Sequence, residues 1–167
     1  MKKLPKIKLS QKPTYVALAR DVDFYALFVG IEKQFDTCFL FESLGEEKKI
    51  SRYSIIGFAP AHLMYASENT LTIDGKTYEV DNPYLSLRDI MPAHPISKNY
   101  SGGLVGYLGY DAVNYMESSL HVKAHKDFDP FMFGAYTDGL IFDKLTDEVV
   151  YFYYDADRSA MIKKIMS

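Results

Sequence analysis

The chain has 167 residues, a formal charge of −3 and a pI near 5.8, with 48% apolar and 25% charged residues. This composition supports a substantial core, excludes a disordered tail, and gives no basic face for nucleic acid. The single cysteine, Cys38, excludes an internal disulfide and suits a cytoplasmic location, and no apolar run approaches the ~20 residues of a membrane helix.

Residues 1–12 read as a flexible lead-in. The lysines Lys2, Lys3, Lys6 and Lys8 form a solvated tail, and Pro5 with the polar stretch after it leaves no apolar signal core. Residues 13–167 read as a folded domain. Thr14 to Arg20 is the first strand. Asp21 or Asp23 then caps a helix whose apolar positions Phe24, Leu27, Phe28 and Ile31 share one face. Thr37 to Glu42 is expected to be a buried strand carrying Cys38 as an inert thiol, Leu44 to Ile50 a charged loop, and Arg52 to Phe58 a further strand.

His62 to Ser67 reads as a strand. Leu71 to Tyr78 alternates around Asp74-Gly75, the signature of a two-residue hairpin turn with positive φ. Pro83 to Met91 is expected to be a short helix with Leu85 and Ile90 inward, and Pro92 to Ser101 a connector holding His94. Gly103 to Leu108 reads as a strand whose glycines allow close approach of another backbone, and Tyr110 to Glu117 as a helix. Residues 118–130 form an exposed loop. Phe131 to Phe142 and Glu148 to Tyr154 read as two long strands joined by Asp143-Lys144-Leu145-Thr146-Asp147, with a final helix that starts after Asp155 and runs to the end. Strands punctuated by a few helices, without βαβ alternation, indicate an α+β fold with a mainly antiparallel sheet and flanking helices.

Most familiar chemistries are poorly supported. Gly102 to Gly109 lacks both the lysine of a phosphate loop and the spacing of a dinucleotide fingerprint. His121 and His125 read as solvated loop residues, not a metal pair. Asp111 and Glu117 fall on different faces of the expected helix, and Asp111 reads as a first-turn acid that complements its dipole. The strongest pattern is Glu42-Ser43 at a strand end, followed by Arg52 after a charged loop. These groups can hold a zwitterion, with carboxylate to ammonium and guanidinium to carboxylate. From residue types alone the simpler arrangement has Ser43 capping a turn and Glu42 pairing with Arg52 at the surface.

Three blocks taken together resemble the amino-terminal region of anthranilate synthase component I, a chorismate-utilising family. They are Phe39-Leu40-Phe41-Glu42-Ser43, then Arg52 through Pro60 (RYSIIGFAP), then Gly102 through Glu117 (GGLVGYLGYDAVNYME). The resemblance spans residue 14 to the end and makes residues 13–167 the amino-terminal domain. It implies a parent lyase of tryptophan biosynthesis that makes anthranilate and pyruvate from chorismate, with ammonia from a glutamine amidotransferase, component II. The chorismate and Mg2+ residues belong to a carboxy-terminal chorismate-binding region beyond this chain, so no catalytic residue carries over and the chain alone is expected to be inactive. The ending inside a helix, without a glycine stop, agrees with that expectation.

What carries over is the feedback site. The resemblance places a tryptophan effector against Phe41, Glu42, Ser43 and Arg52, with the remaining wall supplied by the carboxy-terminal region. Phe41 stands where the family commonly has Leu, which narrows the pocket, and Ser51 where Gly commonly precedes Arg-Tyr-Ser. Two alternatives stay open: the equivalent part of aminodeoxychorismate synthase, which serves folate precursor synthesis, and a free-standing binding module without catalysis.

Overall fold

A computed structural model describes residues 3–10, 12–45, 51–92, 97 and 99–167. The expectations for Lys2, for the loop beyond Gly45 as far as Ile50, and for His94 and much of its connector lie outside the described residues. In chain order the elements are β1 (Thr14–Arg20), α1 (Phe24–Glu32), β2 (Cys38–Glu42), β3 (Tyr53–Phe58), β4 (His62–Ser67), β5 (Thr70–Ile73), β6 (Lys76–Glu79), α2 (Pro83–Ile90), β7 (Gly103–Leu108), a 3-10 turn (Tyr110–Tyr115), β8 (Phe131–Tyr136), β9 (Asp138–Asp143), β10 (Glu148–Tyr153) and α3 (Ser159–Met166). Two five-stranded sheets result, ordered β1-β10-β9-β3-β2 and β6-β5-β4-β8-β7, and the α+β class is as expected. The described residues within Leu9–Pro60, Pro95–Gly103 and Tyr136–Ser167 form one compact unit, and those within Met1–Lys8, Ala61–His94 and Leu104–Ala135 another.

In the unit built on the first sheet, every strand pair is antiparallel. Alternation along the strands turns Ile56 and Phe58 of β3, Leu140 of β9, and Val149 and Tyr151 of β10 into one buried cluster. Asp23 starts α1 by accepting from the Ala26 N–H at 2.9 Å, as an N-cap does. The helix then lays Phe24, Leu27 and Ile31 onto that cluster, and α3 adds Ile162. Each such side chain taken out of water contributes roughly 1.5–3 kcal/mol before chain entropy is counted.

β2 lies at the sheet edge and is not the buried strand expected. Leu40 pairs with Ile56 on the helix-covered face, while Phe41 on the other face stays 52% exposed. The apolar run reflects one covered face and one aromatic edge. Another correction concerns Phe131 to Phe142, which is two strands of different sheets separated at Thr137. His62 of β4 pairs with Ala135, whereas Asp138 pairs with Tyr153 of β10, so neither ladder can run through. Asp138 opens β9 as a buried carboxylate. It receives Arg158 Nη1 at 2.8 and 2.6 Å and the Tyr151 hydroxyl at 2.8 Å, which anchors the entry to α3.

In the unit built on the second sheet, the Asp74-Gly75 turn forms as read, with φ of 49° and 76° joining β5 to β6. Asn82 caps α2 by accepting from the Leu85 N–H at 3.0 Å, and Pro83 follows where a missing N–H costs nothing. Ile90 is buried as expected. Leu85 is exposed, however, and Leu87 takes the inward place. The expected helix at Tyr110 to Glu117 is a 3-10 turn, closed by Ala112 N–H to Gly109 O and Met116 N–H to Val113 O. Asn114 exchanges two bonds with Val122, turning the chain into the exposed loop. Gly106 lets β7 approach β8 closely: a Cβ there would run into the Met132 carbonyl and lie 2.8 Å from Phe133 Cα. The lead-in is tied down at Ile7, which is buried and donates its N–H to Ile90 O at 2.9 Å.

Candidate functional site

Three strand ends meet at one corner of the first sheet. β2 finishes at Glu42 opposite Ser54, and β3 begins at Tyr53 opposite Asp143, the last residue of β9. The ladder extends one step further, where the Lys144 N–H donates to Arg52 O at 2.9 Å. Antiparallel register therefore gathers Glu42-Ser43, Arg52 and Asp143-Lys144 at one corner. The four residues expected to form a site, Phe41, Glu42, Ser43 and Arg52, all lie at this end of β2 and β3.

Their pairing differs from the simple expectation. Arg52 does not pair with Glu42. It forks onto Asp143, Nε to Oδ1 at 2.9 Å and Nη2 to Oδ2 at 2.6 Å, with its guanidinium carbon 4.8 Å from the Tyr53 ring centroid. The register explains the choice, because Asp143 sits across from Tyr53 while Glu42 sits across from Ser54 on the other side of β3. The Arg52 fork holds the Asp143 carboxyl below the usual carboxylate range, and the same bond raises the guanidinium pKa. Two of the five guanidinium donors are engaged by Asp143, so N–H groups remain for a further acceptor.

Glu42 is met by Lys144, whose Nζ lies 3.8 Å from Oε1 and donates to Ser43 O at 2.8 Å. The Lys144 side chain is only 14% exposed, so its stem packs down and its ammonium is held in place. Ser43 thus meets this cation through its carbonyl. Ser51, at 1% exposure, donates its hydroxyl to Gly45 O at 2.8 Å and fastens the approach to β3. On the other sheet face Phe41 pairs across β3 with Ile55 and packs against Phe39 with ring centroids 4.6 Å apart. Arg52, Tyr53 and Asp143 also border a cavity of about 400 Å³ whose apolar wall includes Ile55, Ile141 and Val150. The corner thus offers a carboxylate, a carbonyl and two cations, polar groups suited to a zwitterionic ligand, with the Phe41 ring beside them on the opposite sheet face from Glu42.

The remaining candidates do other work. His62 Nδ1 lies 2.7 Å from Asp74 Oδ2. Asp111 is buried and accepts the His125 N–H at 3.1 Å, so it anchors the loop and is not simply a dipole partner. Burial, aided by Glu32, raises the Cys38 thiol pKa, which disfavours the nucleophilic thiolate. Among the described residues no group of three or more His, Cys, Asp or Glu side chains is placed to hold a metal ion. Nor is any helix among them long and apolar enough to cross a membrane.

Comparison with known proteins decides the family. An anthranilate synthase component 1 of Leptospira biflexa is 46% identical over 165 residues, covering 98% of this chain and 36% of that protein. The chain belongs to the anthranilate synthase component 1 family. Another component 1, from Methanothermobacter marburgensis, is 30% identical over 146 residues, 85% of this chain and 31% of its own length. The chain therefore spans about a third of the length of these relatives. A solved anthranilate synthase component I from Streptococcus pneumoniae shares the fold, with a TM-score of 0.55 over 74% of this chain and 30% of its own, at 18% identity. No protein-family model matches the chain. At this corner, sequence reasoning missed Asp143 and Lys144. They read as an ordinary charged hairpin turn, and only the β3–β9 register brings them to Arg52.

Proposed function

We propose that this chain is the amino-terminal, regulatory part of an anthranilate synthase component 1 and carries one side of a tryptophan feedback site at the Glu42–Ser43–Arg52 corner. The gathering of these residues with Phe41 at one sheet corner is the observation that supports the reading. In it, Glu42 and Ser43 meet the amino acid's polar groups, Arg52 meets its carboxylate through the donors that Asp143 leaves, and Phe41 borders the indole. The whole protein would convert chorismate to anthranilate and pyruvate in the cytoplasm. Its carboxy-terminal chorismate-binding region would supply the Mg2+ site, and a glutamine amidotransferase component II the ammonia. A half-pocket leaves the indole without a lid, so the isolated chain binds tryptophan weakly.

Calorimetry on residues 1–167 tests the regulatory reading: weak or undetectable heat is the expected result, and micromolar binding contradicts the half-pocket. Supplying the same chain with chorismate, ammonia and Mg2+ should give no anthranilate fluorescence above blank. Measurable product would overturn the assignment of catalysis to another region.

A further inference from the structure

The charged side chains described at the Glu42–Arg52 corner each face a partner from the chain itself. Arg52 holds Asp143 through two bonds, and Lys144 stands between Glu42 and the Ser43 carbonyl. Among the described residues the corner's two acidic side chains, Glu42 and Asp143, face two basic ones, Lys144 and Arg52. A zwitterionic amino acid adds no net charge, but its ammonium needs acceptors, and the carboxylate and carbonyl on offer are the two that the Lys144 ammonium occupies. Both are primary ammonium groups of the same size and the same three-donor geometry. The two contacts are unequal: the bond to Ser43 O is 2.8 Å, whereas the approach to Glu42 Oε1 is a looser 3.8 Å. Glu42 is also half exposed, so an incoming cation can reach it.

We propose that the Lys144 ammonium is an internal stand-in for the ammonium of an amino-acid ligand, occupying Glu42 and the Ser43 carbonyl until such a ligand displaces it. The inference rests on the amino-acid site proposed above and adds to it a specificity-determining residue that lowers affinity. A ligand ammonium entering the corner meets a like charge at short range, so binding requires the Lys144 contact to open. Apparent affinity then falls by the fraction of time the corner is open. A ligand with the same ring and carboxylate but no ammonium does not compete with Lys144.

The test is a titration of isotopically labelled chain, followed by NMR, with L-tryptophan and with indole-3-propionate, which lacks the ammonium. Lys144→Gln keeps a donor for the Ser43 carbonyl but removes the charge, and Lys144→Arg keeps the charge. Lys144→Gln should bind tryptophan about fivefold more tightly, with indole-3-propionate changed less than about twofold and Lys144→Arg behaving as the parent. Unchanged or weaker tryptophan binding to Lys144→Gln overturns the proposal and leaves the amino-acid site standing. An equal gain for both ligands also overturns it, because the ammonium is then not what competes. Absence of tryptophan binding in every variant overturns the proposal and the site together. The parent chain gives a reading independent of how the variants fold. Its Lys144 Nζ resonance should shift on adding tryptophan and stay in place with indole-3-propionate, and a static resonance in both titrations counts against the proposal.

Discussion

Arg52 and Asp143, 91 residues apart in sequence, form a two-point ion pair at the end of the β3–β9 ladder, Nε to Oδ1 at 2.9 Å and Nη2 to Oδ2 at 2.6 Å. The pair fixes the guanidinium at the corner while leaving donors for another acceptor. It also gives the corner a pH signature.

The Arg52 bond holds the Asp143 carboxyl below the ordinary range in the folded chain. Its stabilising contribution is therefore present above the unfolded value of about 3.9 and is lost as pH falls through the lower folded value. Asp143→Asn should be less stable than the parent at neutral pH, with the gap closing below about pH 4. Urea midpoints from pH 7 downward give the comparison, and a gap that stays constant with pH would contradict the assignment.

The buried Asp138 carboxylate should behave in the opposite sense. Burial raises its pKa, opposed by the Tyr151 hydroxyl and by Arg158. A carboxyl raised on folding stabilises most below its unfolded pKa, and that contribution is lost as pH rises through the folded value. Arg158→Met leaves the carboxylate without its cation and pushes its pKa higher still. The expected loss is roughly 2–3 kcal/mol at neutral pH, near the lower end for a broken buried pair because the Arg158 side chain is 34% exposed. Denaturation at several pH values should show the deficit growing from acid toward neutral, and a deficit independent of pH would refute the account of Asp138.

Two glycines of the second sheet should fail for different reasons. Gly106→Val drives a side chain into the β8 backbone and should cost about 2 kcal/mol or more. Gly75→Ala meets no atom within 4 Å but must hold a φ of 76°, so about 1–2 kcal/mol of backbone strain is expected. Thermal denaturation ranks them, and equal tolerance of both substitutions would argue against close packing of β7 on β8.

Local chemistry explains which parts of the fold could be read from sequence. The Asp74-Gly75 hairpin and the apolar face of α1 depend on residues a few positions apart and formed as read, and of the two capping candidates, Asp21 and Asp23, the structure uses Asp23. Features set by distant partners did not form as read. Phe131 to Phe142 looks continuous because both strands are apolar and β-rich, and the break at Thr137 appears only when β4 and β10 claim opposite ends. Tyr110 to Glu117 has helix-like spacing, but Asn114 is bound to Val122 in the following loop. Phe41, Glu42, Ser43 and Arg52, singled out in the sequence, do lie together at the ends of β2 and β3. Asp143 and Lys144 were not singled out, since a charged turn between two strands carries no mark of what lies beside it.

The account depends most on the amino-acid role of the β2–β3 corner. Residue-by-residue NMR mapping of L-tryptophan at millimolar concentration on the labelled chain tests this most directly. The shifts should concentrate at Phe41, Glu42, Ser43, Arg52 and Lys144, and Arg52→Ala should abolish them. Shifts centred on the second sheet, or a response untouched by Arg52→Ala, would contradict it.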